Sequence, residues 1–91
     1  MTITPIDSER GDWSGTYIRF HRDTIWPETH KTNRWLVAGG RGDNLGVVSW
    51  FPAWRKYAFF PAADTVFEEV CLTEIAEFCK LRTQEHKAKK A

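Results

Sequence analysis

The sequence predicts an α+β domain: a small antiparallel β-meander of three to four strands with one C-terminal helix packed on one face. Three observations predict it. Apolar and polar residues alternate in short segments between residues 16 and 60, and turn residues separate these segments. The segment 61–64 ends the alternation, and apolar residues then recur with helical spacing. A chain of 91 residues has the size of one domain, so we expect a single domain over 1–91.

The predicted strands follow a polar N-terminal segment, 1–12, which we expect to be a loose leader. Between the first two strands, 22–33 contains a proline and mostly polar residues and is expected to be a loop. The glycine-rich segment 39–44 and the dipeptide Pro52-Ala53 are typical of turns between strands. The strand candidates, in chain order, are 16–21, 34–38, 45–51 and 54–60.

The helix is predicted over 70–85. Thr65 and Glu68 have the spacing of a capping box, which favours a first turn nearby. Lysine and arginine in the last turns favour the C-terminal end of a helix through its macrodipole. We expect the basic tail 86–91 to be disordered. The apolar stripe of the helix consists of Leu72, Ile75, Ala76, Phe78 and Cys79.

Alternation divides the apolar side chains between two sheet faces. If Pro52-Ala53 closes a two-residue hairpin, Trp50 lies opposite Arg55, and Val48 lies opposite Tyr57. We expect the helix to cover the second face listed here, with its tryptophan and its last phenylalanine beneath the helix. The first face carries Trp35, Val37, Gly46, Val48, Trp50, Arg55, Tyr57 and Phe59. The second face carries Leu36, Ala38, Leu45, Val47, Phe51, Trp54, Ala58 and Phe60.

The first face is the predicted binding surface, because tryptophan, tyrosine and arginine are enriched in binding hot spots. Five tryptophans in so short a chain also exceed what a small core ordinarily needs. Three alternatives stay open for this face: the N-terminal strand and the long loop fold over it, a second copy covers it in a homodimer, or a partner or ligand binds it. The predicted binding residues are Trp35, Trp50, Arg55, Tyr57, Arg34 and Lys56.

Composition restricts the partner. Thirteen basic residues against twelve acidic ones give a formal net charge of +1, whereas dedicated nucleic-acid binders usually carry a marked basic excess. Nucleic acid or a nucleotide stays an alternative partner, because sheet aromatics stack bases and basic side chains bind phosphates. The chain contains no apolar run of about 18 residues, the length of a membrane span, and no signal-peptide core. With two cysteines, this favours a cytoplasmic protein without a membrane partner.

No catalytic or metal-binding motif can be assembled from the sequence. His21, Asp23 and His30 lack the spacing of a zinc site, so we interpret them as solvated loop residues. Cys71 and Cys79 are eight residues apart on the predicted helix, about 12 Å along its axis, which is too far for a disulfide. The glycine turn lacks the Lys-Ser/Thr and the helix that a phosphate loop needs. We therefore expect no enzyme, no cofactor and no metal.

One motif carries a resemblance. Leu45-Gly-Val-Val-Ser-Trp50 is followed by Trp54-Arg-Lys-Tyr57-Ala-Phe59-Phe-Pro61, by Thr65-Val-Phe67, and by a helix with Cys71-Leu72, Ile75 and Phe78. This run resembles a family of small uncharacterised bacteriophage and prophage proteins, and departs from it in having Phe51 where a tyrosine is commoner. The resemblance implies a phage origin and the cytoplasm of a bacterial host. It also implies an inhibitor or adaptor directed at a host protein, including a protein of anti-phage defence.

Overall fold

The computed structural model of the chain describes residues 3–7, 11–26 and 32–90, with side chains up to residue 88. Their strands form one antiparallel sheet, in which strands that are neighbours along the chain are also neighbours in space. The predicted meander with a C-terminal helix is therefore confirmed, but it has six strands instead of three to four. The elements are β1 (Thr4–Asp7), β2 (Asp12–Ser14), β3 (Ile18–Arg22), β4 (Arg34–Gly39), β5 (Asn44–Phe51), β6 (Lys56–Pro61) and α1 (Glu69–Lys90).

The two additional strands come from the N-terminal part of the chain, where the prediction of a loose leader was wrong. β1 pairs with β2, and β2 pairs with β3 through Trp13 and Phe20. Long-range contacts hold this segment, because Ile3 is buried in the core and the Trp35 indole N–H donates to the Gly11 carbonyl at 2.9 Å. β1 itself is exposed at all its residues, so its sequence shows no alternation from which a strand could be predicted.

The helix begins at Glu69, one residue before the predicted start, and is capped differently from the prediction. The Glu68 carboxylate accepts hydrogen bonds from the backbone N–H groups of Val70 (3.1 Å) and Cys71 (2.7 Å), which lowers the pKa of Glu68. Thr65 takes no part in a capping box with Glu68, because its hydroxyl donates to the Ala62 carbonyl. Glu68 alone therefore satisfies two of the first free N–H groups of α1.

The backbone of α1 is helical as far as Lys90, five residues beyond the predicted end and through most of the segment that we expected to be disordered. His86 explains part of this extension, because its ring lies 4.5 Å from the Trp50 ring. A contact with the sheet at this position stabilises the last turns, which an isolated basic helix end lacks.

Phe78 of α1 is the centre of the core. Its ring is fully buried and stacks on Phe20 at 4.0 Å, while Trp35 packs edge-to-face against it at 5.2 Å. The buried Arg82 guanidinium lies 4.5 Å above the Trp13 ring, a cation–π contact one turn further along α1. The helix thus covers the sheet face that carries Phe20, Trp35 and the residues level with them.

This arrangement reverses the predicted assignment of the two faces. β5 and β6 pair with Trp50 opposite Tyr57 and with Phe51 opposite Lys56, because residues 52–55 form a four-residue connection instead of a two-residue turn. A shift of two residues keeps most strand side chains on their predicted faces, and Trp50 and Tyr57 still share one face. Leu45 is an exception, because the register shifts between Val37 and Ala38 and Leu45 packs against the core cluster. The face covered by α1 is the one that we expected to be exposed.

Candidate functional site

The candidate site is the sheet face that α1 leaves uncovered, which we call the open face. One row of side chains crosses it from β3 to β6, and its members are direct partners in the strand register: His21, Leu36, Val47 and Phe60. Leu36 and Phe60 are 42% and 40% exposed, although both are large and apolar. β1 and β2 extend the sheet at its edge and do not fold over this face.

Five residues form an apolar patch on the open face: Leu36, Val47, Phe51, Trp54 and Phe60. The Phe51 ring packs edge-to-face against Trp54 at 4.5 Å and against Phe60 at 6.1 Å. Trp54 is 65% exposed, so most of the largest side chain of the patch is in contact with water. A connected apolar surface of this kind marks an interaction site more often than an isolated exposed leucine does.

The connection between β5 and β6 places Trp54 on the patch. The Trp54 N–H donates to the Phe51 carbonyl and the Arg55 N–H donates to the Pro52 carbonyl, both at 3.2 Å. Arg55 has a φ of 53°, a left-handed conformation that costs a non-glycine residue on the order of 1 kcal/mol. These two turns return the chain so that the Trp54 ring lies against Phe51. Backbone strain is therefore present immediately beside the patch.

Basic residues occur on the open face and in the connection beside it. Arg55 and Lys56 are exposed next to Trp54, and Arg19 is exposed on the same face two residues from His21 along β3. Arg34 is also on this face, but it is engaged within the protein. Its Nε donates to Asp23 Oδ2 at 3.0 Å, and its guanidinium lies 4.4 Å above the Trp26 ring.

The predicted binding residues fall into two groups. Trp35 and Tyr57 are 4% and 5% exposed under α1, and Trp50 is half-buried between Tyr57 and His86. The Tyr57 hydroxyl accepts a hydrogen bond from the Asn33 N–H, and burial raises the pKa of Tyr57. The prediction that these three side chains form an exposed surface is therefore wrong, because α1 packs on this face of the sheet. Of the six predicted residues, Arg55 and Lys56 are exposed, Arg34 is ion-paired, and Trp35, Trp50 and Tyr57 pack under the helix.

Sequence reasoning missed Leu36, Phe51, Trp54 and Phe60 as exposed residues, although one signal could have identified them. Polar side chains occur at several of the alternating positions that belong to their face, whereas the other face of β3 to β6 carries one charged residue, Arg22 at the end of β3. A face that contains polar side chains tolerates water, whereas the face under a helix is apolar throughout. These polar residues are Arg19, His21, Arg34, Ser49 and Lys56.

The other chemical candidates have structural roles or lie elsewhere. His21 Nδ1 lies 3.3 Å from Asp12 Oδ2, and the same buried carboxylate accepts the Arg22 N–H at 2.9 Å, while His30 is outside the described residues. Burial raises the pKa of the Cys79 thiol to about 11, which keeps it protonated at neutral pH. Among the described residues, no cluster of three or more His, Cys, Asp or Glu side chains has the geometry to hold a metal ion.

Comparison with family models, with curated proteins and with solved structures found no match for this chain. Within residues 3–7, 11–26 and 32–90, no helix combines the length and the apolarity that crossing a membrane requires. The features of the open face are an apolar patch around Trp54, the exposed residue Lys56 beside it, and strain in the connection that contains the tryptophan.

Proposed function

We propose that this chain is a non-enzymatic binding module that docks a partner protein on the apolar patch of its open face. The observation that carries the proposal is Trp54, which is 65% exposed at the end of a ring cluster on a face that α1 leaves uncovered. The phage resemblance gives the proposal its biological form. The partner is a protein of a bacterial host, and the module inhibits or redirects it.

The energetics of the patch support a stable contact. A large apolar side chain that moves from water into an interface contributes about 2 kcal/mol. Trp54, Phe60 and Leu36 each have 40% or more of their surface still to bury. Tryptophan is also among the residue types most enriched in interface hot spots. The strained turn at Arg55 is consistent with a side chain held in position before binding, which reduces the entropy lost on association.

The geometry favours a protein over a single-stranded nucleic acid. Base stacking needs flat ring faces open to solvent in a series. Here Phe51 is in edge-to-face contact with two neighbouring rings, and the rest of the patch is aliphatic. Arg34, the central arginine of the open face, is paired with Asp23 and stacked on Trp26 instead of being available for a phosphate.

The experiment uses a photo-crosslinking amino acid, benzoylphenylalanine, in place of Trp54 in a bacterial lysate. We expect a discrete protein adduct from this position. The control carries the crosslinker at Thr73, which is exposed on α1 on the opposite side of the molecule. Phe60→Ser, introduced into the chain with the crosslinker at position 54, should abolish the adduct without unfolding the domain, because Phe60 lies outside the core cluster.

Three outcomes oppose the proposal. An adduct of equal yield from the Thr73 position, or one that survives Phe60→Ser, would show that the crosslinked protein does not bind at the patch. An adduct that disappears after nuclease treatment assigns the face to nucleic acid. An adduct with the mass of two copies of the chain, together with a dimer in light scattering, makes the open face a homodimer interface.

A further inference from the structure

A concave feature lies between α1 and the outer edge of the sheet. It is a groove of about 300 Å³ at the start of β6. Its floor is apolar and is formed by Tyr57, Ala76 and Cys79, and Thr83 and Gln84 line its length. The Thr83 hydroxyl accepts the Tyr57 backbone N–H at 2.9 Å, so the helix and the strand edge are joined directly beneath the groove.

Three lysines line the groove: Lys56 on β6, and Lys80 and Lys87 on α1. All three are exposed, and no acidic residue is present in the lining. Three like charges around one depression raise the local positive potential in a chain whose formal net charge is only +1. A bound anionic group would relieve this repulsion.

The groove is continuous with the apolar patch. Lys56 is the register partner of Phe51 and at the same time lines the groove, so the groove begins at the sheet edge where the patch ends. A partner that covers Trp54 and extends around β6 would place its next residues over Lys80 and Lys87.

We propose that this lysine groove binds an acidic segment of the partner protein, with glutamate or aspartate carboxylates at the three ammonium groups and an apolar side chain on the floor. The inference rests on the proposed function, because it names the chemistry of the same partner. Ammonium groups bind carboxylates and phosphates alike, but the lining contains no arginine and no glycine-rich turn of backbone donors, which many phosphate sites add. The apolar floor suits a peptide side chain better than a sugar–phosphate backbone.

The test is an NMR titration of the ¹⁵N-labelled full chain with a capped peptide of alternating glutamate and leucine. We expect shifts at the amides of Lys80, Thr83, Gln84 and Lys87, and weaker binding as salt is added. A peptide in which glutamine replaces glutamate should not bind. The double variant Lys80→Gln, Lys87→Gln should raise the dissociation constant about two- to thirtyfold, the range for losing two exposed ion pairs.

The matched control compares two single variants, Lys80→Gln in the groove and Arg41→Gln, which removes one charge from the turn between β4 and β5 at the opposite end of the sheet. Equal weakening by these two single variants, or shifts spread over the whole surface, would overturn the proposal by showing diffuse electrostatics. Tighter binding of a short oligothymidylate through the same amides would assign the groove to nucleic acid. If the groove binds the peptide independently of the patch, Trp54→Ala leaves the peptide affinity unchanged. The peptide titration therefore tests the groove, and the crosslinking experiment tests the patch.

Discussion

Glu74 is a charged side chain that is only 2% exposed, and its partners explain why it is tolerated there. Its carboxylate accepts the Thr16 backbone N–H at 2.8 Å and the Thr16 hydroxyl at 3.0 Å. A side chain at Gly15 would place a Cβ 2.6 Å from Glu74 Oε1, so the glycine is required by the carboxylate. One residue of α1 thus fastens the turn between β2 and β3.

Glu74→Gln should lower the free energy of unfolding by about 1–3 kcal/mol. The amide places an N–H₂ group at one of the two oxygen positions, so the Thr16 N–H, which reaches both carboxylate oxygens, then also faces a donor. Urea denaturation measures the effect, with Glu77→Gln, one turn along α1, as the charge-matched control. If the two variants lose the same stability, the hydrogen bonds to Thr16 contribute nothing beyond the general charge of the helix.

Asp23 gives a pH dependence at the residue scale. The hydrogen bond from Arg34 is the main cause that lowers the pKa of Asp23 from its ordinary value of 3.8. Because the folded carboxyl binds its proton less readily than the unfolded one, its stabilising contribution is present above 3.8 and is lost as the pH falls through the lowered pKa. The pair connects the start of the 22–33 loop to β4, so acid should weaken that connection.

Asp23→Asn removes this contribution at neutral pH and leaves nothing to lose in acid. The difference in free energy of unfolding between the wild type and Asp23→Asn should therefore shrink as the pH is lowered from about 6 to about 2. Asp64→Asn, at an exposed residue that already has a left-handed backbone suited to asparagine, is the control for the loss of one carboxylate charge. A constant difference for Asp23→Asn would contradict the lowered pKa.

At the scale of elements, the strands with regular alternation were predictable and the others were not. The predicted segments 34–38, 45–51 and 54–60 correspond to β4, β5 and β6 within two residues at each end. In each, large apolar side chains recur at every second position because one face is under α1. β1 contains Pro5 and has four exposed residues, so contacts made far along the chain determine its conformation. Local sequence carries no trace of those contacts.

Alternation divides the strand residues between two faces, but it does not indicate which of the two faces α1 covers. Alternation assigned Trp35 and Trp54 to opposite faces, but both are tryptophans, and the residue type does not reveal which one α1 covers. The four-residue connection with Arg55 in the left-handed region was also outside the sequence signal, since a two-residue turn at Pro52-Ala53 fits the same alternation. The candidate site was thus misplaced although most strand residues were assigned to the correct face.

The edges of the sheet bear on how the whole molecule meets a partner. The outer edge of β6 is occupied by the Thr83 hydroxyl, which accepts the Tyr57 N–H, and Pro61 has no N–H to offer. At the other edge, β1 is four residues long and contains Pro5. Short strands and prolines are the devices that discourage edge-to-edge pairing. Docking by strand addition is therefore disfavoured at both edges, so the proposed docking relies on side chains and not on free backbone groups.

The two-faced sheet makes a prediction for the whole molecule, in which two tryptophans of the same size have opposite roles. Trp35 is 4% exposed and contacts Phe78 and Tyr57, so Trp35→Ala should lower the free energy of unfolding by about 3–5 kcal/mol. Trp54 is 65% exposed, and Trp54→Ala should cost under about 1 kcal/mol. A domain of this size has about 5–15 kcal/mol of total stability, so the first variant approaches unfolding while the second stays folded.

Guanidinium denaturation followed by circular dichroism measures both variants on the same scale. Only the core variant removes a large buried volume, so only it should show a marked fall in the midpoint. The reverse order would mean that α1 covers the face of Trp54, and the patch would then belong to the core. The predicted order instead frees Trp54 from any requirement of the fold. Trp54→Ala would then be a folded variant in which the proposed docking surface can be tested without a large loss of stability.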